Sequence, residues 1–270
     1  MNTTNKLLCI LIFTAAVNIS YAGISTCTEK SVEDIYSPIL LDKNTVIRFK
    51  VSERSIDPHG DIFPIIIVTQ ECDTGSETQF AELPYLGDPG EVESAFLADS
   101  DFDGKAELFV IHRTSLYSDT GISYGSDYFA TLVYKRLAPL TYERSERVSA
   151  YFGAGGDVLS SPTSDKIVYG YPYKSEVAIQ SRLASAQYKA WLEQKLITTR
   201  ILNKTYLHDQ ANVADRTSKY LIAGDEVRVL DQKAGWLEAV FHNKKKGEIK
   251  GWIQCKDTLE CANQNLGIDK

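Results

Sequence analysis

The residues Asp99-Ser100-Asp101-Phe102-Asp103-Gly104-Lys105-Ala106-Glu107 carry the clearest chemical signal in this 270-residue chain. Like charges at this density repel one another, and a hard divalent cation relieves that repulsion by accepting their oxygens. Calcium loops use acidic oxygens at positions 1, 3 and 5, a glycine at 6 and a backbone carbonyl at 7. Those positions are Asp99, Asp101, Asp103, Gly104 and Lys105, and Glu107 at position 9 binds directly or through water. Position 12, where a helix-flanked calcium loop carries a bidentate glutamate, is Val110. The competing reading is a solvated acidic turn, because Asp-Gly is a frequent turn pair.

The elements that must hold this loop are strands. Ala95–Ala98 leads in and Leu108–Ile111 leads out, both apolar. A D-x-D-x-D-G-x-x-E loop between strands resembles the calcium loops of integrin-type propeller blades (FG-GAP repeats). That resemblance implies calcium as a structural ion. Only one such loop occurs, so a regular multi-blade repeat is not visible.

Around it the chain reads as short strands. Residues 45–51 alternate with the period of two of a half-buried strand, and Ile62–Val68 is a β-branched run. Strands are also expected over Gln79–Leu83, Leu108–Arg113, Tyr128–Arg136, Tyr142–Tyr151, Lys166–Tyr173 and Ser175–Leu183. Ala184–Leu196 has a helical composition, but a hairpin turning at Glu193-Gln194-Lys195 is favoured in its β context. A sandwich, a barrel and an irregular propeller all fit this pattern.

The last segment holds Thr205–His208, Tyr220–Leu230 with Gly224-Asp225 as a turn, and the two Gly-Trp pairs Gly235-Trp236 and Gly251-Trp252. Together these resemble the bacterial SH3 (SH3b) domain over about Ile201 to Asp257. The resemblance implies a small barrel packed by the two tryptophans. His242 and Lys244-Lys245-Lys246 fall in the hairpin between the Gly-Trp pairs and read as a solvated turn.

The fold expected is therefore all-β. A calcium-binding β domain of short strands, propeller-like or a sandwich, spans 23–198. An SH3-like barrel spans 199–260, and a tail covers 261–270. Residues 1–22 read as a secretory signal, with Lys6, the apolar run Leu7–Val17, and Ser20 and Ala22 before a cut at Gly23. Leu8 before Cys9 is wrong for a lipoprotein cleavage site. The formal charge is −7, and loss of the leader removes one lysine and no acid. So acidic a chain argues against nucleic acid or an anionic membrane surface as partner. No later run suits a transmembrane segment.

Four cysteines remain: Cys27, Cys72, Cys255 and Cys261. An even number in an exported chain points to disulfides. Three pairings are open. Cys27 with Cys72 and Cys255 with Cys261 is the expected one, since the N-terminal and C-terminal pairs fall in separate domains.

Support for catalysis is thin. His59, His112, His208 and His242 lie in no zinc-ligand spacing, and G-x-S-x-G is absent. Glu143 and Glu146, flanked by Arg144 and Arg147, read as a solvated strand face rather than a glycosidase pair.

A binding role has more support. Thr120-Gly121-Ile122-Ser123-Tyr124 resembles the S/T-G-x-x-Y loop of bacterial periplasmic lysozyme inhibitors, and Tyr142–Arg147 is similar to their Tyr-and-Arg second motif. Residues 45–173 also resemble exported calcium-binding β proteins that confer immunity to peptidoglycan-degrading toxins. These resemblances imply a protein partner, a muramidase or other peptidoglycan hydrolase. They place Tyr117, Thr120, Gly121, Ser123 and Tyr124, on the Leu116–Asp127 loop that calcium would steady, and Tyr142, Arg144 and Arg147 of the second motif at the contact. The alternatives are an SH3b envelope module binding peptidoglycan without a toxin partner, and a cell-wall hydrolase whose site is not recognised.

Overall fold

A computed structural model describes residues 27–57, 60, 62–115, 122–243, 245 and 247–262. The expected contact residues Tyr117, Thr120 and Gly121, His59, and the leader 1–22 lie outside them.

The first sheet is an antiparallel meander, β1 (Ile39–Asp42), β2 (Thr45–Val51), β3 (Ile65–Glu71) and β4 (Glu77–Glu82), in that spatial order. The second contains β5 (Glu91–Ala98), β6 (Glu107–Thr114), β7 (Tyr128–Ala138) and β8 (Thr141–Arg144) in sequence order, with β9 (Ala154–Gly155) also on β7. β10 (Val158–Leu159) and β11 (Ile167–Tyr169) form a small ladder.

The second sheet is the middle layer, and alternation in its strands assigns each side chain to one of two cores. Leu108, Val110, Leu132 and Tyr134 pack with Ile47, Phe49 and Ile67 of the first sheet. Phe109, Ile111, Phe129 and Val133 face an aromatic core with Tyr151, Phe152, Tyr171 and Tyr188. Six of the eight β6 residues from Glu107 to Thr114 are buried in unbroken succession, as a strand covered on both faces requires.

The aromatic core is closed by helices where strands are expected. Tyr142–Tyr151 is strand only to Arg144; α1 (Glu146–Phe152) then turns Val148, Tyr151 and Phe152 inward. Ser175–Leu183 is α2 (Glu176–Leu183), with buried Ile179, Arg182 and Leu183 at helical spacing. The hairpin expected from Ala184 is instead α3 (Ala186–Leu192). Ser175 and Ser185 cap these helices by accepting the N–H of Ala178 and Tyr188. Burial of Ile179 and Tyr188 against the aromatic core outweighs the weak local helix signal.

The C-terminal strands are β12 (Ile197–Arg200), β13 (Thr205–His208), β14 (Arg216–Leu221), β15 (Glu226–Lys233), β16 (Trp236–Asn243) and β17 (Gly247–Gln254). Their order is β12-β15-β16-β17-β13-β14, an open sheet rather than the closed barrel expected. A short helix, α4 (Leu259–Ala262), follows. The division at 198/199 falls inside β12.

The tryptophans do not fill this sheet's own core. Trp236 is buried in the aromatic core, stacked on Tyr169 at 5.3 Å, and Trp252 packs at the margin of the same core. Gly251 lies within β17; a Cβ there would stand 2.9 Å from Leu207 Cδ2 and 3.1 Å from His208 O. Glycine is therefore needed for β13 to approach β17.

Disulfides join Cys27 to Cys72 and Cys255 to Cys261. Beside the first, buried Arg48 ties the N-terminal segment to the sheet. It pairs with Asp34 and donates to Gln70 Oε1 at 2.6 Å and Cys27 O at 2.7 Å.

Candidate functional site

The turn from β5 to β6 is folded by its own carboxylates. Asp99 accepts the N–H of Asp103 at 3.1 Å and of Gly104 at 2.9 Å, and Asp103 accepts that of Lys105 at 2.8 Å. Phe102 and Gly104 take positive φ, 59° and 85°. Only glycine adopts this region without steric cost, so the position 6 glycine has a clear backbone reason.

Asp99, Asp101 and Glu107 converge, each offering an oxygen within 4.8 Å of the others. Asp103 is not in this group. Its carboxylate meets Lys135 Nζ at 3.0 Å, and the same ammonium pairs with Asp101. The bond to Lys135 is the first cause holding the Asp103 carboxyl below its ordinary value, and the Lys105 N–H acts the same way. Lys105 enters through its backbone N–H, which Asp103 accepts.

Glu107 is 2 % exposed. Its Oε2 accepts from both the N–H and the hydroxyl of Ser100 at 2.7 Å, while Oε1 is buried without a partner. Burial pushes its carboxyl above the usual value, against the bonds from Ser100. An acceptor-only set with one oxygen left over suits a hard cation.

The loop is fastened to α3. Tyr188 OH donates to Ser100 O at 2.9 Å, and Phe102 meets the Tyr188 ring edge-on at 6.4 Å. One turn further along α3, Trp191 walls an open cleft of about 580 Å³ with Arg147, Tyr151, Lys195, Leu230 and Lys233. The Arg147 guanidinium lies 4.5 Å over the Trp191 ring and donates to the carbonyls of Trp191 and Leu192, at 2.9 and 3.1 Å. Trp191 Nε1 donates to Asp231 at 3.2 Å.

The expected contact residues that the structure describes have different surroundings. Tyr142 is buried and stacked on Phe80 at 4.5 Å, so its ring belongs to the core. Burial pushes its hydroxyl up to about 12. Arg144 is exposed beside Glu146 at 3.5 Å. Ser123 joins β10 through its carbonyl, which accepts from Leu159 N at 2.8 Å. Tyr124 lines a separate hollow of 140 Å³ with Tyr128, Gly155, Tyr169 and Trp236. Trp191 and Lys135, central to the cleft and to the loop, carry no motif; Trp191 sits in a segment expected as a hairpin.

The chain is thus a mostly β protein with two disulfides and an acidic loop braced by a helix. No family model, curated protein or solved structure matches it.

Proposed function

We propose that this is an exported, non-catalytic binding protein that inhibits, or confers immunity to, a peptidoglycan hydrolase, with calcium as a structural tie in the acidic loop. Two disulfides fit an oxidising compartment, and among the described residues no helix is long and apolar enough to cross a membrane.

The observation that carries the reading is the run of contacts Glu107–Ser100–Tyr188 leading along α3 to Trp191 and Arg147. Asp99, Asp101 and Glu107 would hold calcium, which supplies charge neutralisation and no chemistry. The loop so fixed would steady α3, and with it the cleft wall. This moves the surface calcium would support from the 116–127 loop to the Arg147–Trp191 cleft. A guanidinium held on an indole beside an open cleft can donate to a carboxylate of a bound partner, such as a muramidase acid.

The cleft's exposed Leu196 and its tryptophan favour a second reading, an envelope module that binds cell-wall peptide directly.

Capture from a periplasmic extract separates the two. A stoichiometric hydrolase, lost with Arg147→Glu, supports the first reading. Retention on purified cell walls with no protein partner supports the second. Cell-wall turnover by the pure chain would sink both.

A further inference from the structure

We propose that Lys135 is a built-in rival for the metal: its ammonium and a divalent cation compete for the Asp101 carboxylate. This rests on the calcium reading above and adds how the site is regulated. Lys135 follows Tyr134, the β7 residue paired with Leu108, and so lies beside the end of β6 where the acidic loop enters at Glu107. Its Nζ bridges Asp101 and Asp103. Asp101 is the one carboxylate common to the lysine bridge and to the converging Asp99–Asp101–Glu107 set.

Two independent features point to a ligand beside the lysine. The Lys135 ammonium is paired with Asp101 and Asp103 and makes no bond to Glu107. Glu107, 2 % exposed, keeps a buried oxygen with no donor. A lysine on a flexible stem can move away, and an alternative anion is at hand. Glu143 of β8 pairs with Lys135 in the strand register, where opposite charges attract across the ladder. Metal entry would then move Lys135 from Asp101 to Asp103 and Glu143, while Asp99, Asp101 and Glu107 take the cation.

The exchange has a two-sided signature. Without metal, Lys135 offsets the repulsion between Asp101 and Asp103. With metal, its charge opposes binding. Removing a unit charge a few ångströms from a partly exposed divalent site should tighten binding about tenfold.

The test is calcium titration by calorimetry on the whole chain, with melting curves in EDTA and in excess calcium. Lys135→Met should melt below the parent in EDTA yet bind calcium about tenfold tighter. Lys135→Arg should restore parental affinity. Asp99→Asn, which leaves both Lys135 partners in place, should lose calcium binding. If Lys135→Met and the parent bind calcium equally, the competition is refuted and the calcium reading stands. If neither binds, both fall. Should Lys135→Met prove poorly folded by circular dichroism, Lys135→Gln with its polar stem serves in its place, judged by the same affinity ratio.

Discussion

The Tyr188 hydroxyl donates to the backbone carbonyl of Ser100 at 2.9 Å, joining α3 to the acidic loop across 88 residues of chain. Both groups are buried, so losing the donor leaves a carbonyl without its partner. Tyr188→Phe should cost about 1–2 kcal/mol in urea denaturation. It should also shrink the calcium-dependent part of the stability, because the loop would no longer be braced. An unchanged calcium increment would show that loop and helix are energetically separate.

Chelation should lower the melting temperature of the parent protein. At a calcium concentration a hundredfold above Kd the bound ion contributes about 2.7 kcal/mol. Asp101→Ala should abolish that increment. If EDTA and the substitution are both silent, the acidic loop is only a turn.

Acidification should destabilise the fold through His112. Its ring is buried, Nε2 meets Pro89 O at 2.9 Å and Nδ1 has no partner. Burial pulls its pKa below the usual 6.5, against the pull of the Pro89 carbonyl and of Asp88. A lowered folded value means the unfolded chain takes up the proton first. The stability from neutral His112 is full above 6.5 and is lost as pH falls from there toward the folded pKa. His112→Gln should flatten the fall in urea midpoint between about pH 7.5 and 5.5, a window around the ordinary imidazole value. His208, also lowered first by burial, would account for a residual slope.

The two disulfides should differ in value. Cys27–Cys72 spans 45 residues and Cys255–Cys261 only 6. Loop-closure entropy then gives about 4 kcal/mol for the first and about 2 kcal/mol for the second. Paired Cys→Ser variants compared by chemical denaturation check the order; equal losses would show that packing, not chain entropy, dominates.

Asp34→Asn should destabilise by roughly 3–5 kcal/mol, the usual cost of stranding one partner of a buried ion pair. Its Arg48 partner is buried and reaches Gln70 and the Cys27 carbonyl at the same time. Thermal melting reads the loss directly.

Much of the strand content was legible because alternation is a local signal. Alternation places β2 and β7, although each buries an unbroken run on both faces, Thr45–Phe49 and Phe129–Tyr134, where the sequence reads as half-buried; the Asp-rich turn announces itself by composition. The helices were not legible for a physical reason. α1 and α3 have seven residues each, two turns, too short for a periodic pattern to outweigh β-branched and aromatic neighbours. Ser185, three residues before Tyr188, was the cap signal that could have marked α3. Lys135 stands 32 residues beyond Asp103, so only the β6–β7 register brings them together. Tyr142 reads as a contact residue in its motif, but its place opposite Arg136 on β8 turns it onto Phe80.

The order of strands in the two outer sheets carries a consequence for assembly of the chain. β1 to β4 pair only with sequence neighbours, so the strand pairing of that sheet and the Cys27–Cys72 link need no partner strand beyond Glu82. In the C-terminal sheet, β12 waits for β15, and β13 gains its second neighbour only with β17. Trp236, which stacks on Tyr169, and Ala234, whose N–H donates to Tyr151 O at 2.9 Å, arrive between those events. Local pairings form fast and distant ones slowly. A chain emerging from its N-terminus would therefore complete the first sheet early and hold its aromatic middle half-covered until the last strands dock. In that interval the exposed tyrosine face is the part most open to aggregation.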